Sequence, residues 1–222
     1  MDWSPLRISL STSLTATAAA FCLGVLAARW IVVSRFRWRE ALDAVFILPL
    51  VLPPTVIGFI LLVVFGRTGP VGQLLDRWDI GIIFSWPATV IAAAVVAFPL
   101  MYKTARGAFE QLDQDLLDAA RTMGSTEWEI FWKIMLPLAW PGVLAGTVLA
   151  FARAMGEFGA TMMLAGNIPG RTQTIPIAIY SLVEAGNRGR AAFWVVIIIM
   201  MSFIAVISLN YWSKQEQKFR RR

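Results

Sequence analysis

Two oppositely charged side chains stand in an otherwise apolar stretch, and they are the clearest candidates for chemistry in this sequence. Arg153 and Glu157 are spaced i, i+4, so the two side chains can meet on a helix. A charge inside a membrane-spanning helix is costly and faces protein or water rather than lipid. We therefore expect either a structural ion pair that sets helix packing, or an Arg153 that gives an anion path its positive potential while Glu157 moderates it.

Helix-breaking and hydroxyl residues surround this pair and a second apolar stretch. Glycines flank Glu157 and permit close helix contact or a local break, and three prolines, beginning with Pro49, must kink or interrupt the other stretch. Two threonines could donate to an oxyanion or bond back to their own helices. The candidates for a translocation path or gate are Pro53, Pro54, Thr55, Gly58, Arg153, Gly156, Glu157, Gly159 and Thr161.

Catalytic and cofactor chemistry has no comparable signal. The sequence has no histidine and one cysteine, Cys22, which excludes disulfides and Cys/His metal sites within one chain. No G-x-x-x-x-G-K-[ST] phosphate loop and no Ser/His or Cys/His constellation occurs. We predict no enzyme activity, no cofactor and no ATP binding by this chain, so energy must come from a partner.

The elements that position these residues are apolar helices. Of the 222 residues, 58% are hydrophobic and 15% charged, and uncharged runs occupy 8–28, 44–66, 80–102, 134–152 and 191–213. Each run is long enough to cross a hydrocarbon core as a helix, so we predict an all-α fold with five transmembrane helices. The alternative for the first run is a cleaved signal peptide, but it is long for one and Asp2 precedes it.

The distribution of the basic residues behind the net charge of +6 is explained by membrane topology and not by nucleic-acid binding. Thirteen basic residues, including Arg29 and the C-terminal tail, fall on one side of the five predicted helices, and six fall on the other. The excess places the N-terminus outside and the C-terminus in the cytoplasm, with no nucleic-acid partner. The apolar stretch Thr172 to Val183 is short for a span, and we predict a re-entrant or interfacial segment there.

Residues 104–137, called the finger below, form a predicted cytoplasmic loop with helical character. Gly124 can take the left-handed conformation that ends a helix, and Thr126 with Glu129 makes a T-x-x-E capping box that opens a second helix. Pro137 is expected to end that second helix, whose one face carries Trp128, Phe131, Trp132 and Met135. These residues alone also fit an amphipathic finger that lies on the membrane surface.

The finger resembles the EAA signature of ABC-importer permeases, E-A-A-x3-G-x9-I-x-L-P. The match holds at Ala119, Ala120, Gly124, Ile134, Leu136 and Pro137, with Asp118 in place of the first Glu. The segments LPLVLPP at 48–54, GEFGAT at 156–161, NIPG at 167–170 and TIP at 174–176 are similar to the molybdate-transport branch, which is related to sulfate permeases.

This resemblance implies a function and a set of partners. The whole chain, 1–222, would be one transmembrane permease domain in a bacterial inner membrane, with 104–137 as its coupling loop. Two copies would assemble with two ATP-binding cassette ATPase subunits and an extracytoplasmic substrate-binding protein, in the lipid bilayer. Contact with the ATPase would involve the signature residues together with Ser125 and Thr126. The imported oxyanion would be molybdate, with tungstate or sulfate as alternatives.

Two rival functions remain open at this stage. An ATP-independent secondary transporter or channel would need an ion-coupling site, for which Glu157 is the candidate. A membrane scaffold would use the finger only to recruit a soluble protein. Transport that stops without ATP, but persists after an ion gradient collapses, separates the importer from the secondary transporter.

Overall fold

A computed structural model describes residues 2–34 and 37–220, with the side chains of the last helix described through Ile204 and at Ile207. Every regular element in those ranges is a helix, which confirms the predicted all-α class. The elements are α1 Ser4–Val33, α2 Arg39–Val51, α3 Pro54–Phe65, α4 Pro70–Asp76, α5 Trp86–Glu110, α6 Gln114–Thr122, α7 Glu127–Ile130, a π-helical turn Phe131–Met135, α8 Leu136–Met155, α9 Gly159–Ala165, α10 Ile175–Glu184 and α11 Arg188–Arg220.

Three continuous helices among the described residues are long and apolar enough to cross a membrane: α1, α5 and the helix Glu127–Met155. The helices α2 and α3 are together long and apolar enough to be a fourth candidate, but they are bent by 114° at their junction. The predicted fifth run, 191–213, lies in α11, and most side chains beyond Ile204 fall outside the described residues. The chain is thus a multi-pass membrane protein, while the count of five and the orientation stay predictions.

Small side chains form the contact between α1 and α5. Ala16, Ala20 and Ala28 of α1 are buried, as are Ala93 and Ala97 of α5. Small residues let helix backbones approach closely in a membrane, where van der Waals packing replaces the hydrophobic effect between helices. Backbone proximity at this contact therefore depends on the absence of larger side chains.

Buried hydroxyl groups tie α1 to two other helices. The Oγ1 atoms of Thr12 and Thr89 share a hydrogen bond of 2.8 Å between α1 and α5. The Oγ of Ser9 accepts a hydrogen bond of 2.7 Å from the backbone N–H of Ile175, the first residue of α10. The start of α10 is therefore held directly against α1. Its ten residues cover about 15 Å at 1.5 Å each, about half of a hydrocarbon core.

The predicted fourth spanning helix does not follow the finger as a separate helix, and Pro137 does not end the finger's second helix. Instead α7, the π-helical turn and α8 form one continuous helix. The N–H of Leu136 bonds to the carbonyl of Phe131, five residues back, in the wider π pattern. Proline lacks an N–H and its ring clashes with the carbonyl four residues earlier in an α-helix. The wider turn directly before Pro137 lets the helix continue through it.

Candidate functional site

The finger turns at Gly124, which has a φ of +86°. Its N–H bonds to the carbonyl of Arg121 at 3.0 Å, and the N–H of Ser125 bonds to the carbonyl of Ala120 at 3.1 Å. This pair of bonds is the Schellman arrangement that closes a helix end with a left-handed residue. The predicted left-handed conformation at Gly124 is confirmed.

The second helix of the finger opens with the predicted capping box. The Oγ1 of Thr126 accepts from the N–H of Glu129 at 3.3 Å, while Glu129 Oε2 accepts from the N–H of Thr126 at 3.1 Å. Both bonds satisfy donors that a helix start leaves free. The two caps define the geometry at the end of α6 and the start of α7.

The predicted aromatic face of the finger is confirmed by ring contacts, since the centroids of Trp128, Phe131 and Trp132 lie 5.1–5.8 Å apart. Phe131 and Met135 are buried, and Phe131 meets the ring of Phe109 in α5 at a centroid distance of 5.9 Å. Trp128 and Trp132 are instead about half exposed, at 51% and 50%. One edge of this aromatic face therefore packs inside the protein, and the other edge is exposed.

The predicted coupling residues divide into an exposed tip and a packed base. Asp118, Ala119, Gly124 and Thr126 are exposed, while Ser125 is half-buried. Ala120 is buried and joins the hydrophobic core with Leu117, so it supports the finger from inside. Near the base, Ile134 and Leu136 are half-buried and Pro137 is exposed.

Arg121 joins the two finger helices, a role that the sequence analysis missed. Its Nε donates to Glu127 Oε1 at 2.6 Å, and its Nη1 donates to Asp118 Oδ1 at 2.5 Å. Hydrogen bonds to Glu127 and then to Asp118 raise the pKa of the Arg121 guanidinium above its ordinary value. Asp118 and Arg121 are spaced i, i+3, which is a local signal for this pair. The bond to Glu127 crosses the turn.

The structure brings the two predicted helix breaks together. Helix α2 ends at Val51 and α3 starts at Pro54, while α8 ends at Met155 and α9 starts at Gly159. A β-carbon on Gly58 would lie 2.7 Å from the Cβ of Met163, and one on Gly159 would lie 3.0 Å from the Cβ of Pro54. Both distances are too short for a side chain without rearrangement, so these glycines let α3 and α9 pack closely.

Glu157 lies in the break between α8 and α9, not within a continuous helix. The Nη1 of Arg153 stands 3.0 Å from Glu157 Oε2, so the predicted ion pair is present, although its geometry falls outside that of a hydrogen bond. Glu157 Oε1 accepts from the N–H of Ala160 at 2.8 Å and thereby caps the start of α9. The Glu157 side chain is 1% exposed and that of Arg153 is 30% exposed. One carboxylate therefore holds both a helix start and a cation.

The other path candidates take different positions around this junction. Pro53 and Thr55 are exposed beside the first break, whereas Thr161 is buried in α9. Gly156 has a φ of −89°, so its position requires no left-handed backbone. The groups that face each other at the junction are thus Pro54, Gly58 and Gly159, with the Arg153–Glu157 pair beside them.

A second charged cluster joins α2 to the end of α5, and sequence reasoning did not identify it. Glu110 Oε1 accepts from Arg106 Nε at 2.8 Å and from Arg39 Nη2 at 3.3 Å. Arg106 also pairs with Asp43, which accepts a hydrogen bond from the Tyr102 hydroxyl. The i, i+4 spacing of Arg106 and Glu110 was readable, but the partners from α2 are distant in sequence.

No metal centre accompanies these charges within the described part of the chain. Groups of three or more His, Cys, Asp or Glu that could hold an ion do not occur there. What the arrangement offers is a shaped, exposed docking element and a junction of two interrupted helices with one partly exposed guanidinium.

The chain resembles one family along most of its length. The family model described as "Binding-protein-dependent transport system inner membrane component" matches residues 20–212. The chain is 47% identical over 209 residues to YvgM of Bacillus subtilis (strain 168), covering 94% of this chain and 92% of that protein. It is 44% identical over 213 residues to the molybdenum transport system permease protein ModB of Escherichia coli (strain K12), covering 95% and 93%.

Solved structures share the fold at low identity. An inward-facing structure of the MetNI methionine ABC transporter has a TM-score of 0.74 at 18% identity, covering 97% of this chain and 99% of the other. A bacterial alginate ABC transporter in complex with an alginate pentasaccharide-bound periplasmic protein has a TM-score of 0.77 at 17% identity, covering 97% and 79%. At such identities the likeness establishes the fold alone.

Proposed function

Because this chain belongs to the family of inner membrane components of binding-protein-dependent transport systems, we propose that it is the permease subunit of an ATP-driven importer of molybdate. The observation that carries this proposal is the 44% identity to a molybdenum transport permease, which extends over 95% of the chain. The Haemophilus influenzae ModB protein is similar at 41% over 98% of the chain. The function therefore draws on likeness along the whole molecule, not on one motif.

The finger is the docking element for a separate ATPase subunit. Its tip exposes Asp118, Ala119, Gly124 and Thr126, and two caps plus the Arg121 bridge hold the tip in one shape. A shaped tip on a short helix pair suits insertion into a groove of a partner. Continuity of α7 with α8 then gives a direct route from this tip to a membrane helix.

The assembly that we propose contains two copies of this chain, two ATP-binding cassette ATPases and an extracytoplasmic substrate-binding protein. Each copy is one domain, 1–222, in the bacterial inner membrane, with five spans, the N-terminus outside and 104–137 in the cytoplasm. Few spans per copy favour a path enclosed between two copies. The ATPases close on binding ATP, and the fingers transmit that motion to the helices around the path.

The junction of the two helix breaks is the part of this chain that we assign to the path or gate. Short half-helices on either side of a break can change their angle without unwinding further backbone. Arg153 is the cation available to an anion there, since its side chain is 30% exposed. Glu157 is better explained as the group that caps α9 and holds Arg153 in place than as a free charge in the path.

Reconstitution tests this function directly. Proteoliposomes with this chain, its ATPase and its binding protein should take up molybdate only when ATP is present on the side of the membrane that carries the ATPase. Uptake should persist after ion gradients are collapsed. Uptake that needs a gradient but no ATP would establish the secondary transporter instead. Competition with tungstate and sulfate then ranks the oxyanions, and stronger uptake of sulfate than of molybdate would overturn the assignment of substrate.

A further inference from the structure

Arg29, near the end of α1, reaches across to the second helix of the finger. Its guanidinium carbon lies 4.5 Å from the ring centroid of Trp128 and 4.8 Å from that of Phe131. Its Nη2 donates to the backbone carbonyl of Glu127 at 3.1 Å. In the sequence this residue was only one of thirteen basic charges that set the topology. In the structure it makes three contacts with one finger helix.

These contacts are not those of an ordinary ion pair. The carboxylate of Glu127 is occupied by Arg121, and Arg29 bonds to the Glu127 backbone instead. The Nε–H of Arg29 is buried and has no hydrogen-bond acceptor among the described residues. Burying a donor without an acceptor is unfavourable. The two rings and the carbonyl must therefore hold the guanidinium, and this specifies its position relative to the finger.

Helix α1 is itself packed tightly against α5 at this end. A β-carbon on Gly24 would lie 2.9 Å from Cγ of Met101 and 3.2 Å from the backbone nitrogen of Tyr102. Ala28 and Ile31, on either side of Arg29, are buried. Because α1 cannot slide easily over α5, a displacement applied through Arg29 moves a packed helix pair and not only one side chain.

From this geometry we propose that Arg29 is a positioning residue that couples the finger to α1, so that the finger moves α1 as well as α8. The proposal rests on the permease function given above. The chain itself links the finger to α8, whereas Arg29 supplies a link across space to a helix that lies about one hundred residues earlier. Loss of this link should reduce the work extracted from each ATP without releasing the ATPase.

The test uses the full complex of permease, ATPase and binding protein in proteoliposomes, and it measures molybdate transported per ATP hydrolysed. Arg29→Gln should lower this ratio about tenfold, since it removes a charge-assisted bond and two cation–π contacts, while copurification and hydrolysis stay within about twofold of wild type. Arg29→Lys keeps the charge but not the planar fork, so it should restore part of the ratio. Arg37→Gln removes an exposed charge nearby and should leave the ratio unchanged.

Trp128→Leu provides the second arm, because Trp128 is half exposed and its loss is compatible with folding. It should lower the ratio as Arg29→Gln does, and the double variant should be no worse than the poorer single variant. An unchanged ratio in Arg29→Gln and Trp128→Leu overturns the coupling role, and so does an equal fall of uptake, hydrolysis and assembly. A wild-type complex without ATP-driven uptake would instead overturn the permease function itself.

Discussion

Replacing Gly124 with valine is the sharpest perturbation of the finger. A β-carbon at Gly124 would meet nothing within 4 Å, so we expect the substitution to act through the backbone conformation. At a φ of +86° an L-residue is strained by about 1–2 kcal/mol, and a branched side chain resists this region most. The two hydrogen bonds of the turn contribute about 1 kcal/mol each.

The backbone strain and the free energy of the two hydrogen bonds are thus of similar size. We therefore expect Gly124→Val to leave the left-handed conformation and to change the angle between α6 and α7. Because α7 continues into α8 as one spanning helix, the change should displace α6 and not the spanning helices, so insertion should stay near normal. Docking of the ATPase should weaken, or hydrolysis should continue without uptake. Copurification, ATPase activity and uptake of molybdate in proteoliposomes report these effects separately.

Two matched variants isolate the cause. Gly124→Asn enters the same region at lower cost and should retain much of the coupling. Gly186→Val imposes the same kind of strain, at a φ of +73° and with nothing within 4 Å, but between α10 and α11. It should leave docking intact. If Gly124→Val matches wild type in docking, stimulated hydrolysis and uptake, this turn is not the coupling element.

Three further outcomes follow from the junction and the topology. Arg153→Leu leaves the buried Glu157 carboxylate without its cation, which should cost about 3 kcal/mol of stability and reduce assembly. The double variant Arg153→Leu with Glu157→Gln removes the unpaired charge and keeps an acceptor for the α9 cap. Normal transport by this double variant would exclude an anion-path role for Arg153. Gly58→Val should clash with α9 and lower the free energy of unfolding by about 1–3 kcal/mol. Gly81→Val is the control, because a β-carbon at Gly81 meets nothing within 4 Å, and it should leave stability unchanged. Equal melting temperatures for the two variants would refute the close packing. With the native cysteine removed, Gly81→Cys should react with an impermeant reagent from outside and Met123→Cys only from inside, and labelling of both from one side would refute the orientation.

Local sequence signals predicted the caps of the finger correctly. Gly124, and Thr126 with Glu129, act over three or four residues, so the backbone conformation follows from residue type alone. The breaks near Pro53 and Gly156 were readable for the same reason, since proline and glycine punctuate helices. The close approach of Gly58 to α9 was not readable, because it depends on two segments about one hundred residues apart.

Longer-range effects explain the predictions that were wrong. Pro137 was expected to end a helix, but a π-helical turn, stabilised by burial of Phe131 and Met135, carries the helix through it. The contacts of Arg29 with Trp128 and of Asp43 with Tyr102 join distant elements and leave no trace in spacing.

Helix α1 is held at both of its ends by contacts with other parts of the chain. One end is fastened to α10 by the bond from Ile175 to Ser9, and the other is fastened to the finger by Arg29. Twenty residues separate these two fastenings, about 30 Å of helix. A helix held at both ends moves as one rigid body. A displacement of the finger should therefore reach the start of α10 through α1, and a displacement of α10 should reach the finger by the same route. This route does not include the junction of the two helix breaks.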